Sequence, residues 1–262
     1  ISVLIAVYLL LSIFLNILKN FFDFSYNLDE LKYAISNIIQ LDYSKAELIK
    51  LNSNNIIIKN LSFSYDKLTM TLKNINCIIK EQSKVLVTGS SGSGKSTLFK
   101  IIKGYYSDYE GSIIIGDKNI KNKNFEDIIY VSSKEFLFTG SLIENLKLKS
   151  FNQNSINICE IKSLCQNNFY QLIEENGFNL SSGQKQRIAL ARALCDFQIL
   201  ILDEALSQVS VDMERRILKK LFKTYSNKTI IYISHRLDNL DLFDHFIKIK
   251  DGQIILNTRR NN

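Results

Sequence analysis

Residues 84–103 read KVLVTGSSGSGKSTLFKIIK, and their order decides the fold. The run Lys84–Thr88 carries apolar residues on both faces, the pattern of a strand buried within a parallel sheet. It is followed by Gly89-Ser90-Ser91-Gly92-Ser93-Gly94-Lys95-Ser96-Thr97 and then by the helical LFKIIK. Strand, glycine loop and helix in that order form a phosphate-binding loop. The glycines let backbone amides turn toward phosphate oxygens, and the helix N-terminus adds partial positive charge. Lys95 is placed to reach terminal phosphates, and the Ser96 hydroxyl to ligate a divalent cation.

Two further runs, residues 198–202 and 229–233, have the same two-faced apolar character. They predict two more buried parallel strands, and in such sheets ligands bind beyond the carboxyl ends. The first run ends in Asp203-Glu204 and the second in Ser234-His235-Arg236. Asp203 is assigned to a metal shell and Glu204 to polarising an attacking water, because phosphoryl transfer needs positioning and charge neutralisation more than covalent chemistry. His235 is assigned to the terminal phosphate. The second histidine, His245 between Asp244 and Phe246, carries no accompanying pattern and is read as an ordinary, partly exposed residue.

Residues 1–18, ISVLIAVYLLLSIFLNIL, contain no charge before Lys19, which is near the length needed to cross a bilayer. Leu28, Leu31, Ile35, Ile38 and Ile39 then recur at helical spacing, predicting an amphipathic connector. Residues 44–55 are polar, and from Ile56 the alternation of Leu61, Phe63 and Tyr65 with Ser62 and Ser64 is strand-like. The boundary therefore falls near residue 53, dividing the chain into 1–52 and 53–262. A chain of 262 residues that starts with Ile is read as a piece of a longer protein. The net charge of +7 is spread without a dense block, the pattern of a solvated surface rather than a nucleic-acid footprint. Cys77, Cys159, Cys165 and Cys195 form no CxxC pair, so reduced thiols facing cytoplasm are expected.

Between the first and second of these predicted strands stands Leu180-Ser181-Ser182-Gly183-Gln184-Lys185-Gln186-Arg187. With the glycine loop, the ILILDE strand and the SHR triplet in order, it resembles the ATP-binding cassette family, whose signature is usually LSGGQ. The resemblance covers residues 56 to about 254. Glu175-Asn176-Gly177 and the run from Phe136 to Asn145 look like the exporter branch, and residues 1–50 look like its last membrane helix and extension. What the resemblance implies is ATP and Mg²⁺ as cofactors, Tyr65 stacked on adenine, and two such domains closing on two ATP molecules. Each ATP then lies between one phosphate loop and the partner's Ser181, Gly183 and Gln184.

Three positions depart from the family pattern. Ser133 stands where a metal-touching glutamine is usual, and offers only a shorter oxygen. Ser210 replaces the interface aspartate of the segment normally read SALD. Ser182 replaces a signature glycine.

The expectation is an α/β fold: a phosphate-loop core on a mainly parallel sheet, an antiparallel β subdomain, a helical insert over 140–180, and a transmembrane helix before them. The expected function is ATP hydrolysis driving export, with a peptide or bacteriocin cargo. The expected partners are a second cassette, identical or paralogous, and a transmembrane domain. The cassette is expected on the cytoplasmic side of a membrane, with no nucleic acid bound. Two other readings are a soluble cassette ATPase acting on nucleic acid or ribosomes, and a degenerate cassette that only binds nucleotide. The uncharged run 1–18 argues against the first, and Glu204 with His235 against the second.

Overall fold

The computed structural model describes residues 51, 53–66, 68–121, 123, 125–133, 136–147, 152–165 and 168–260, all within the compact unit Glu47–Asn262. The uncharged run 1–18 and its connector lie outside these residues. Among the described residues no helix is long and apolar enough to cross a membrane.

The chain opens with β1 (Ile56–Ser64) and β2 (Met70–Ile79), which pair antiparallel, and continues into β3 (Lys84–Thr88) and α1 (Lys95–Lys103). Strands β4 (Glu110–Ile115) and β5 (Lys118–Asn119) complete an antiparallel sheet of order β2-β1-β4-β5. After β6 (Ile128–Val131) come β7 (Gly140–Ser141) and three short helices, α2 (Leu142–Leu146), α3 (Gln153–Ile158) and α4 (Lys162–Cys165). Strand β8 (Leu172–Ile173) pairs with β7, so a small antiparallel ribbon brackets the expected helical insert.

The remainder is α5 (Ser182–Ala193), β9 (Ile199–Asp203), α6 (Val211–Thr224), β10 (Thr229–Ile233), β11 (His245–Lys250) and β12 (Gln253–Arg259). The main sheet runs β12-β11-β3-β10-β9-β6. All its neighbours are parallel except the edge pair β11 and β12.

The two-faced apolar runs have a direct physical cause. Successive side chains of a strand point to opposite faces, and both faces of this sheet are covered. Val85, Val87, Ile199, Ile201, Ile231 and Ile233 face one core, shared with Leu98, Phe99 and Ile102 of α1 and with the antiparallel sheet. Leu86, Leu200, Leu202, Ile230 and Tyr232 face the other, shared with Ile188 and Leu190 of α5 and Ile217, Leu218 and Leu221 of α6. Full burial of each such Ile or Leu contributes about 1.5–3 kcal/mol.

Two expectations need correction. The strand expected over residues 198–202 lies one residue later, which makes Asp203 its last member. His245 is fully buried rather than partly exposed, because it opens β11 at an inward-facing position. Its Nε2 meets Asn257 Oδ1 of β12 at 2.5 Å. Burial outweighs this bond and holds the imidazole pKa below its ordinary value.

Candidate functional site

The carboxyl ends of β3, β9 and β10 meet at one cleft of about 310 Å³, lined among others by Tyr65, Gly92, Lys95, Thr97, Glu204 and His235. Ser91, Gly94 and Ser96 also border it. This is the low end of the size range of small-molecule sites. A larger groove of about 600 Å³, bordered by Asn157, Glu160 and Lys220, contains none of these groups.

The loop holds its shape through its own contacts. Gly89 has φ +149°, and a Cβ there would stand 2.1 Å from the Ile249 carbonyl oxygen, so only glycine lets the loop pass under β11. Lys95, 5% exposed, donates from Nζ to the carbonyls of Gly89 at 2.9 Å and Ser90 at 2.8 Å, spanning the base of the loop. Burial lowers its pKa, and the charges of Glu204 and Asp203 oppose that shift. The Ser93 hydroxyl is buried in the loop without a hydrogen-bond partner among the described residues.

Tyr65 lies just past the end of β1. Its hydroxyl is 2.9 Å from Thr97 Oγ1 of α1, and its ring packs perpendicular to Phe63 and Tyr106. The residue remains 55% exposed, more than core packing alone would leave.

Glu204 follows β9 with φ +54°, in the left-handed region that a glutamate occupies at a cost of about 1–3 kcal/mol. Its amide donates to Ile233 O at 3.0 Å, so the sheet itself enforces the turn. The turn brings the carboxylate to His235, whose Nε2 is 2.9 Å from Glu204 Oε1. Asp203 points to the face that also carries α1 and accepts a hydrogen bond from the Tyr130 hydroxyl at Oδ2. Burial, with the Asp203 contact adding to it, holds the Tyr130 phenol well above the usual tyrosine range.

Ser133 is exposed and is not among the residues bordering the cleft. Neither are Ser181, Gly183 and Gln184. They form the start of α5, where Ser181 and Gln184 make a reciprocal capping box: Gln184 N donates to Ser181 Oγ and Ser181 N to Gln184 Oε1. A Cβ at Gly183 would stand 2.7 Å from the Gln208 carbonyl oxygen, so the signature glycine permits the segment 207–210 to pack on the helix. Ser182 is exposed at the first helical turn, where its side chain meets solvent. Ser210 precedes α6, and its side chain makes no capping hydrogen bond.

The structure adds residues to which sequence reading gave no role. Gln186 reaches from α5 to Ser207 Oγ at 3.1 Å and accepts from Gln208 N at 2.8 Å. Arg236 donates to Ser207 O, Val209 O and the buried Glu214 carboxylate. The start of α5, the segment 207–210 and the residue after His235 are thus joined in one hydrogen-bonded unit. Nothing local in the sequence pairs Tyr130 with Asp203 or Arg236 with Glu214.

Comparison with known proteins agrees with this geometry. A family model described as ABC transporter matches residues 72–207. The chain is 36% identical over 215 residues to a lactococcin-G-processing and transport ATP-binding protein of Lactococcus lactis subsp. lactis, covering 76% of this chain and 30% of that protein. It is 32% identical over 272 residues to a pediocin PA-1 transport/processing ATP-binding protein of Pediococcus acidilactici, covering 94% of this chain and 37% of the relative. It is also 35% identical over 214 residues to a microcin-J25 export ATP-binding/permease protein of Escherichia coli, covering 77% and 37%. The chain therefore spans about a third of the length of these relatives. A solved bacterial Atm1-family ABC exporter with ATP bound shares the fold, with TM-score 0.76 at 24% identity over 83% of this chain and 41% of that one.

Proposed function

This chain belongs to the ABC transporter family, and from that premise we propose that it hydrolyses MgATP to drive export of a peptide or bacteriocin across a membrane. The observation that carries the reading is the convergence of Lys95, Ser96 and Thr97 with the Glu204–His235 pair in one cleft.

The residues fit both cofactors. Lys95 and the loop amides are the groups that bind phosphate, and the buried Ser93 hydroxyl is a further donor, without a partner among the described residues. The donors for Mg²⁺ are oxygens, the Ser96 hydroxyl and the Asp203 carboxylate, as a hard cation requires. Bound there, Mg²⁺ would supply charge neutralisation to the phosphoryl group in transfer. Glu204 orients the attacking water and accepts its proton. His235 contacts Glu204 through Nε2, and its N–H is the donor that the terminal phosphate would take in the loaded site. Tyr65 offers its exposed ring to adenine. Contact between Glu204 and His235 supports hydrolysis over a binding-only role.

Ser181, Gly183 and Gln184 lie on a different part of the surface from their own chain's cleft. This supports a second cassette as the partner whose signature completes each site. Residues 1–52 are proposed as the end of a transmembrane domain, on their uncharged run, with the cassette on the cytoplasmic side. Calorimetry on the full chain tests the ATP reading: Lys95→Ala should lose most nucleotide affinity, since a charge-assisted phosphate contact disappears. Unchanged ATP binding by this variant would refute it.

A further inference from the structure

We propose that Tyr130 is a positioning residue for the metal-binding carboxylate, fixing which oxygen of Asp203 is presented to the cation. The inference rests on the reading of Asp203 as part of the Mg²⁺ shell and goes beyond it by assigning a residue that holds Asp203.

Strand geometry places the two side chains together. Strands β6 and β9 are parallel neighbours with Tyr130 opposite Ile201 and Val131 opposite Leu202. Ile201 and Asp203 lie two residues apart and so share a face. Tyr130 is on that face, packed on the core of Ile199, Ile201 and α1, while Val131 belongs to the opposite core. A tyrosine side chain is long enough to run along the strand direction past Ile201, and its hydroxyl donates to Asp203 Oδ2. The ring is braced by Tyr105, just after α1, at a centroid distance of 5.8 Å and an interplanar angle of 73°. Asp203 is itself buried.

The chemistry follows from the inventory of donors and acceptors. An ionised carboxylate only accepts, and a phenol on one oxygen directs the other outward. A hydrogen bond to the charged form also strengthens the hold on its orientation. Tyr130 supplies this from β6, the strand at the edge of the main sheet, on the same face that carries α1. The carboxylate is therefore fixed from both β9 and β6, and its remaining oxygen, Oδ1, is the one available to the cation.

The test uses the full chain loaded with a non-hydrolysable ATP analogue and titrated with Mn²⁺, the free ion being followed by electron paramagnetic resonance. Tyr130→Phe keeps the ring and removes only the hydroxyl. It should weaken Mn²⁺ binding about tenfold, as loss of a group supporting a metal ligand does. Affinity for the analogue in EDTA should stay within about twofold, because the phosphate loop is untouched, and the melting temperature confirms the fold. In an Asp203→Asn background the same change should add nothing. Mn²⁺ affinity that falls with Asp203→Asn but not with Tyr130→Phe would overturn this inference alone. If Asp203→Asn leaves Mn²⁺ affinity unchanged, the metal reading itself fails and the inference falls with it. A further loss in the double variant would place the effect of Tyr130 elsewhere and also overturn the proposal.

Discussion

Replacing Arg236 by alanine removes the cross-link between three segments of the site, and its cost follows from the groups left behind. The guanidinium donates to Val209 O at 2.7 Å, to Ser207 O at 2.6 Å and to Glu214 Oε2 at 2.8 Å. Glu214 is 1% exposed and, among the described residues, would keep only the Tyr232 hydroxyl at 2.9 Å. Breaking a buried pair by deleting one partner costs about 3–5 kcal/mol, and because Arg236 is 33% exposed the loss should be lower, about 2–4 kcal/mol. For a domain of this size that is a fall of roughly 5–15 °C in melting temperature. Thermal unfolding of the full chain measures it. Since most of the loss comes from an uncompensated buried charge, Glu214→Gln should be stabilising in the Arg236→Ala background while destabilising in the parent. If Glu214→Gln lowers stability equally in both backgrounds, the residues are not coupled and the reasoning is refuted.

Tyr65→Ala should weaken ATP binding by about 1–3 kcal/mol by loss of ring stacking, and leave inorganic triphosphate binding unchanged. Equal loss for both ligands would return Tyr65 to a packing role. Ser133→Gln, in the complete transporter, should change cargo-stimulated hydrolysis more than basal hydrolysis, and an equal change in both would show that the position acts on chemistry alone. His245 is held neutral by burial, so the unfolded chain binds its proton more readily and stability from this group is present near neutral pH. It falls as pH drops below the ordinary histidine value, by at most about 1.4 kcal/mol per pH unit. Replacing His245 by leucine should flatten that acid-side slope in denaturant titrations between pH 7 and 5, and an unaltered slope would contradict it.

The fold was legible in the sequence wherever burial leaves a two-sided mark. The runs that became β3, β9 and β10 carry apolar residues on both faces because both sheet faces are covered, and the polar residues that follow them announce the cleft. Lys95, Asp203, Glu204 and His235 could be named because each sits at a strand end or in a glycine loop. What was illegible depends on side chains meeting across the fold. Tyr130 sits in an apolar strand and reads as core until the register of β6 on β9 brings its hydroxyl to Asp203. His245 was misread because it stands between Asp244 and Phe246 with no accompanying pattern, although its place at the start of β11 faces inward. The tie from Arg236 to Glu214 joins residues 22 apart, at no helical or strand spacing. The left-handed backbone of Glu204 follows from the ladder contact with Ile233, and no residue type signals it.

The central claim, that this cleft hydrolyses ATP with Glu204 orienting the water, is tested most directly by Glu204→Gln in the full chain. The amide keeps the shape and the left-handed turn but cannot accept the proton of the attacking water. ATP binding measured by calorimetry should persist while phosphate release in the same preparation stops. Phosphate release at the parental rate from a variant that still binds ATP would contradict the account.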